Sequence, residues 1–426
     1  MRFSMKKISM PAFIGCILAI ICGYFLSMTT SIRVQAQQVR TRYVNPAGED
    51  FPIWGWYCFF SDVLPADSSF QQLKDAGFNM GMQTIHTDTT LMKEVLRKAE
   101  KYDFKMIIQS GMVGNMTRLP GTVRMLKDYP ALLGYFVMDE PKMDQFPLCR
   151  QYKDIIEHND PKAWPYVNLL ACWDNAGKAW GSDDFATYVE DFIKVFQPSV
   201  LSVDHYPVIT TDGVHISSRF YNTYEVLAQV YKDHGIPFWA FMDCTALAPM
   251  QWPDETNMRF AVFAALAYGC QGIEWWTYTL PESNKEDWKE APVMPGGKRT
   301  PIWYAMRNVN MEVKALKDVF LGCSVVDVAH TGAKLPLGTK RLSSLPAPFR
   351  RLDSGDAGVL VSHISNKDKE YLVILNHDVE KSQRIRLTRS DNTRPIYQLM
   401  PTGEERRAAD LSYTLSPGNY VILRFR

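Results

Sequence analysis

The stretch Leu133-Gly-Tyr-Phe-Val-Met-Asp-Glu-Pro141 sets two acids, Asp139 and Glu140, side by side at the end of an apolar run that the proline closes. Two neighbouring carboxyls repel when both are charged, and partial burial disfavours charge further, so at least one keeps its proton to higher pH. A carboxylic acid protonated near neutrality can act as a general acid. The acids could instead cap a following helix, whose N-terminus attracts negative charge. Their position straight after a strictly apolar run favours catalysis.

Other apolar runs also end in polar or aromatic groups: Gln83-Thr-Ile-His86, Gln109-Ser110, Asn168 with Trp173-Asp174, Asp204-His205-Tyr206-Pro207, Met242-Asp243 and Glu274-Trp275-Trp276-Thr277-Tyr278, with Trp54 and Trp56 opening the series. The chain spends 11 Trp, 20 Tyr and 22 Phe, enough to build flat platforms as well as a core. Flat apolar faces beside convergent hydrogen-bonding groups make a carbohydrate site. The candidate catalytic residues are therefore Glu140, Asp139 and Asp243. The candidate substrate-binding residues are Trp54, Trp56, His86, Gln109, Asn168, Trp173, Asp204, His205, Tyr206, Glu274, Trp275, Trp276 and Tyr278. His86, Asp204 and His205 could alternatively hold a metal, but none is expected.

These residues need elements to position them. Eight near-continuous apolar runs recur: Phe51–Phe60, Phe78–Ile85, Phe104–Ser110, Leu132–Met138, Trp164–Trp173, Val200–Val208, Pro237–Cys244 and Gly272–Leu280. Such runs suit parallel strands buried on both faces. Helical segments are expected between them at Asp67–Ala76, Thr90–Tyr102, Val123–Tyr129, Gln145–His158, Asp183–Phe196, Ser218–His234, Asn257–Tyr268 and Pro301–Val319. In Thr90–Tyr102, Leu91, Val95, Leu96 and Ala99 share one face. Eight strand–helix repeats predict an α/β fold, a (β/α)8 TIM barrel, whose active site forms at the C-terminal strand ends. A doubly wound open sheet fits less well, because no G-x-G-x-x-G follows the first strand.

Beyond about residue 320 the runs shorten and alternate: Val359–Ile364, Tyr371–Leu375, Gln383–Leu387, Ile396–Leu399 and Tyr420–Phe425, separated by turn signals such as Pro401-Thr-Gly403. This pattern predicts an antiparallel β-sandwich. It carries Tyr371, Tyr397, Tyr413 and Tyr420 but no Trp, which suits a packing partner of the barrel better than a separate binding module.

The N-terminus carries Arg2, Lys6 and Lys7, then an apolar stretch from Pro11 to Met28, then Ser31-Ile-Arg-Val-Gln-Ala36. That is the order of a secretory signal, with cleavage expected after Ala36; a membrane anchor is the alternative, since the stretch is nearly long enough to span. The expected layout is a signal over 1–36, a barrel over 37–320 and a sandwich over 321–426, in an exported protein of the periplasm or cell surface with no stable membrane insertion after cleavage. Cys58, Cys149, Cys172, Cys244, Cys270 and Cys323 would remain, without C-x-x-C spacing, as buried hydrophobes, one disulfide being open. The 47 basic and 46 acidic side chains balance, so nucleic acid is not an expected partner. No P-loop, dinucleotide fingerprint or H-E-x-x-H is present, and no cofactor is expected.

The motifs Gly134-Tyr135-Phe136-Val137-Met138-Asp139-Glu140-Pro141, Asp204-His205-Tyr206-Pro207 and Gly272-Ile273-Glu274-Trp275-Trp276-Thr277-Tyr278, with a terminal β-domain, resemble the bacterial (β/α)8 glycoside hydrolases, and are similar to the clan containing the family forty-two β-galactosidases. The resemblance implies hydrolysis of O-glycosidic bonds in a carbohydrate substrate, with Glu140 matching that clan's acid/base. The residue before it is usually Asn and here is Asp139. The clan's nucleophile is a Glu ending the seventh strand, where this chain has Asp243. The adjacent pair also resembles the substrate-assisted N-acetylhexosaminidases, which implies that Glu140 protonates the leaving oxygen while Asp139 orients a 2-acetamido group against Tyr206 or Tyr278. The missing strand-seven Glu equally suits a glycan-binding protein on an inactive barrel.

Overall fold

Eight parallel strands close on themselves, each hydrogen-bonded to the next in chain order and the last to the first. They are β1 (Ile53–Gly55), β2 (Met80–Thr84), β3 (Lys105–Gln109), β4 (Leu132–Asp139), β5 (Trp164–Leu170), β6 (Leu201–Asp204), β7 (Phe238–Asp243) and β8 (Ile273–Trp276). Each falls within one of the eight apolar runs, except that β4 runs one residue further, to Asp139. The computed structural model describes residues 43–426, apart from 175, 183, 212, 282–287 and 391–393. The expected export signal over 1–36 lies outside the described residues.

Helices follow the strands: α1 (Asp67–Asp75), α2 (Thr89–Lys101), α3 (Leu119–Leu126), α4 (Phe146–Asn159), α5 (Phe185–Phe196), α6 (Phe220–His234), α7 (Glu255–Ala267) and α8 (Pro301–Ala315). Asp88 caps α2 by accepting from the N–H groups of Thr90 and Leu91. The helix expected over 123–129 begins four residues earlier. Pro120 sits in its first turn, where its missing N–H costs nothing. Tyr129 precedes Pro130 and is steered away from helical geometry.

Strand alternation divides the barrel into two faces. Ile53, Met106, Leu169, Val203, Ala240, Ile273 and Trp275 point outward into the helix layer. Trp54, Trp56, Met80, Met82, Ile107, Leu133, Tyr166, Trp239 and Phe241 fill the lumen as a separate cluster. This lumen is a packed floor. Each large ring removes roughly 150–250 Å² from water, worth about 4–6 kcal/mol at about 25 cal/mol per Å². Two glycines allow the close fit. A Cβ on Gly134 would lie 2.1 Å from the Trp164 carbonyl oxygen, and one on Gly272 would lie 2.3 Å from the Trp239 ring.

The C-terminal region forms two antiparallel sheets. One has six strands, β9 (Ser324–His330), β11 (Leu360–Asn366), β12 (Lys369–Leu375), β17 (Tyr420–Arg424), β14 (Tyr397–Leu399) and β15 (Glu405–Arg407), in that spatial order. The other has three: β10 (Phe349–Asp353), β13 (Gln383–Arg389) and β16 (Ser412–Leu415). Phe349, Ile385, Leu387 and Leu415 from the smaller sheet share a buried cluster with Leu372, Ile374, Val421 and Leu423 from the larger. Strands β9, β10, β15 and β16 were not foreseen; β10 reads Phe-Arg-Arg-Leu-Asp, too charged to register as an apolar run.

The opposite face of the six-stranded sheet packs on the barrel helices, Tyr420 stacking on Phe263 of α7 with ring centres 3.8 Å apart. The Tyr420 hydroxyl donates to Glu312 at 3.1 Å, and Glu312 also receives Arg259 at 2.6 Å. All six described cysteines are buried free thiols, so no disulfide forms among them. Among the described residues no helix is long and apolar enough to cross a membrane.

Candidate active site

The C-terminal end of every barrel strand offers one lumen-facing side chain. In order these are Trp56, Thr84, Gln109, Asp139, Asn168, Asp204, Asp243 and Trp276. Glu140 follows Asp139 directly. The mouth is thus a ring with two indoles on the adjacent strands β8 and β1 and four carboxyls spread over β4, β6 and β7, Asp243 lying beside Trp276 in register.

Asp139 reaches the lumen because β4 is irregular. Its register against β5 shifts between Phe136 and Met138, a bulge that puts two successive residues on the same side. Phe136 packs with the lumen cluster, whereas Val137 and Met138 both pack with the helix layer. Asp139 then turns inward and accepts a hydrogen bond from Asn168 Nδ2 at 3.1 Å. Without the bulge, Met138 would occupy the lumen and Asp139 the helix layer. Neither acid caps the helical turn after Pro141, where no cap is made by either side chain.

Glu140 stands at the rim with φ +43°, in the left-handed region, and its N–H donates to the Asn168 carbonyl at 2.9 Å. Few residues other than glycine hold this conformation, and it recurs where geometry serves function. Pro141 sharpens the turn, and its carbonyl accepts the Tyr188 hydroxyl at 2.7 Å.

The four carboxyls are electrostatically linked. Asp139 is open to solvent yet ringed by protein; burial, then the Glu140 charge, push it up to about 6 against the Asn168 hydrogen bond. Burial, the Glu140 and Asp139 charges and a hydrogen bond shared with Glu140 hold Asp204 well above the usual carboxylate range. Its Oδ1 is buried and receives no donor among the described residues. Burial likewise raises Asp243, opposed by the Thr245 N–H at 2.9 Å. Tyr206 lies among all four: after burial, the charges of Asp204, Asp243, Asp139 and Glu140 raise its phenol. Its ring stacks on Trp276 at 5.3 Å and 27°, and Trp288 meets Trp276 edge-on at 4.9 Å.

Several candidates from the sequence lie elsewhere. His205 points outward and is fully buried, with Nδ1 2.8 Å from Thr223 Oγ1 and Nε2 3.1 Å from Ser217 Oγ; burial lowers it to about 3, so it is a neutral strut. Trp275 also points outward, donating to Asn310 of α8 at 2.8 Å. Tyr278 is buried against Phe78 and accepts from Trp303 at 3.1 Å. Trp54 and Glu274 do face the lumen, but both are 0% exposed and sit one layer beneath the mouth. These five are not placed to touch a substrate at the mouth. His86 is exposed on the β2–α2 loop, its ring and N–H paired with Asp62. Trp173 lies just past β5 against the His205 ring at 4.1 Å. Gln109 accepts from Thr84, and Asn168 holds the acids. No group of three or more His, Cys, Asp or Glu among the described residues could hold a metal.

The sequence reading passed over Thr84, Trp288, Phe136, Tyr166 and Ser202. Thr84 could have been found by counting alternate residues along β2 from Met80 and Met82, whereas Phe136 was hidden by the bulge, which breaks the alternation between it and Asp139. Tyr166 and Ser202 are bonded to one another, and they join Asn168 to Glu274 below the mouth.

No family model matches the chain, and no curated protein does. Solved structures do. A β-galactosidase from Bacillus circulans sp. alkalophilus superposes with a TM-score of 0.58 at 9% identity, covering 89% of this chain and 99% of that one. A family 42 β-galactosidase from G. stearothermophilus gives 0.54 at 10% identity, covering 89% and 98%. A family 5 glycoside hydrolase from Bacteroides vulgatus gives 0.54 at 12% identity, covering 88% of each chain. The chain is similar in fold, along nearly its whole described length, to the (β/α)8 glycoside hydrolases of families 42 and 5.

Proposed function

We propose that the chain is an exported glycoside hydrolase that cleaves O-glycosidic bonds in oligo- or polysaccharides. The observation that carries this reading is the mouth itself: four carboxyls around Tyr206, facing the Trp276 and Trp56 indoles, at the strand ends where such barrels work. Glu140 is the acid/base. It protonates the glycosidic oxygen as the bond to the anomeric carbon breaks and its electron pair passes to that oxygen. Asp243, at the end of β7, is the opposing carboxylate that bonds to the anomeric carbon. Water, giving its proton to Glu140, then displaces it. Trp276 supplies the sugar platform. The signal over 1–36 accounts for export, and the two C-terminal sheets make up the β-sandwich over 321–426.

One observation favours a second reading. Burial with a single backbone donor raises Asp243 well above the usual carboxylate range, which disfavours its charged, attacking form, whereas Asp139, at about 6, is mostly ionised at neutral pH beside Glu140. That is the arrangement of a substrate-assisted reaction, in which Asp139 orients a 2-acetamido group and Asp243 is dispensable.

The test is turnover of aryl glycosides, with and without 2-acetamido groups, by the wild type and by Glu140→Gln. Cleavage that collapses in the variant supports the first reading. Restriction to 2-acetamido sugars selects the second. Binding of intact glycan without turnover by either protein would replace both with a binding role.

A further inference from the structure

Beneath the mouth lies a carboxyl that neither reading uses. Glu274 is 0% exposed, set in β8 between Trp54 of β1 and Phe241 of β7. Its Oε1 lies 2.7 Å from the Tyr166 hydroxyl, and its Oε2 lies 2.7 Å from Ser202 Oγ. Ser202 Oγ is also 2.8 Å from Tyr166 and 3.0 Å from Asn168 Oδ1. Asn168 in turn donates to Asp139. A continuous chain therefore runs from the buried carboxyl to the mouth.

The protons in this chain can be counted. If Glu274 is ionised, only two hydroxyl protons, from Tyr166 and Ser202, serve the four contacts. Ser202 then gives its proton either to Glu274 or to Asn168, and the other oxygen faces a lone pair where no water reaches. If Glu274 carries a proton on Oε2, that proton goes to Ser202, the Ser202 proton goes to Asn168 Oδ1, and the Tyr166 proton goes to Oε1. Only the Tyr166–Ser202 contact is then left without a proton. In this state the Asn168 carbonyl is pinned toward Ser202, so its NH2 must face the acids. Asp139, an acceptor when ionised, takes that N–H.

We propose that Glu274 is a buried positioning residue that, while protonated, acts through Ser202 to lock the Asn168 amide onto Asp139, so that loss of its proton loosens the acidic side of the mouth. Burial, against the hydrogen bonds from Ser202 and Tyr166, pushes Glu274 up to about 8, in keeping with a proton held at neutral pH. The titratable groups facing it are Tyr166 on β5 and Cys270 ahead of β8, and Asp139 is felt through Tyr166. Among the described residues no Lys, Arg or His bonds to it.

The role in catalysis rests on the hydrolase reading, so the test uses two readouts that need no activity. Infrared difference spectra of the full chain, titrated from about pH 6 to about pH 10, should lose a protonated-carboxyl band with a midpoint near 8, and Glu274→Gln should lack that band. The side-chain amide signal of Asn168, assigned by its loss in Asn168→Asp, should shift with the same midpoint in the wild type. It should not shift in Glu274→Gln, which keeps a donor to Ser202 at every pH. Ser202→Ala, which cuts the chain, should keep the infrared band and lose the amide shift. A carboxylate already ionised at pH 6 would overturn the proposal, as would an Asn168 signal indifferent to the proton loss. Failure of the glycoside panel alone would leave these spectra unchanged and would count against the hydrolase reading only.

Discussion

Glu140 holds a backbone conformation that its residue type disfavours, and that has a measurable price in stability. Its φ of +43° sits where a β-carbon meets the following carbonyl. The left-handed region costs an L-residue about 1–2 kcal/mol, and glycine is free of this penalty. Glycine also has more freedom to lose on folding, about 0.5–1 kcal/mol, so the net gain is smaller than the strain. Glu140→Ala keeps the strain and removes the carboxyl; Glu140→Gly removes both. Each relieves the repulsion with Asp139 and Asp204 equally, so their difference isolates the backbone. Glu140→Gly should be more stable than Glu140→Ala by about 0.5–1 kcal/mol. Both should lose turnover by about 10²–10⁴-fold, the share of a general acid. The thermal midpoint would move by only roughly 1 °C in a chain this long, so urea unfolding with a common m-value is the better assay. If the glycine variant is the less stable of the two, the left-handed backbone is not strained and the argument fails.

Asp139 binds its proton up to about pH 6, above the usual carboxylate range. If its ionised form orients substrate, turnover should rise through about that pH, and Asp139→Asn should flatten this limb; initial rates across pH decide it. Asp243→Ala should lower turnover by at least about 10³-fold if it attacks the anomeric carbon. A loss under roughly tenfold, measured on 2-acetamido and plain glycosides in parallel, would move the attack to the substrate itself. Gly134→Ala should destabilise by about 1–3 kcal/mol, because its Cβ meets the Trp164 backbone at 2.1 Å, and should lower turnover by shifting β4 against β5. Unfolding and kinetics on that variant read the two effects separately.

Much of the barrel was legible because buried parallel strands must be apolar on both faces, and their run lengths mark them plainly. The rim was legible where polar residues interrupt those runs, as at Asp139, Asn168 and Asp243. What the sequence hid was direction. In Asp204-His205-Tyr206 only alternate residues face the lumen, so the middle histidine belongs to the helix layer. The same alternation turns Trp275 outward beside the inward Trp276. Depth was hidden too: Trp54 and Glu274 face inward but lie one layer below the mouth. The bulge in β4 could not be read from composition, since Val137 and Met138 would suit either face.

That bulge means β4 carries one residue more than its pairing with β5 requires, since Phe136, Met138 and Asp139 lie opposite Tyr166, Val167 and Asn168. Deleting Val137 would remove the surplus residue and let plain alternation from Phe136 carry Asp139 into the lumen, whereas straightening the strand with both residues kept would pass Asp139 to the helix layer. A descendant of this chain could therefore lose one codon from β4 and keep its acid in place, while substitutions that flatten the bulge would misdirect that acid with no acid mutated.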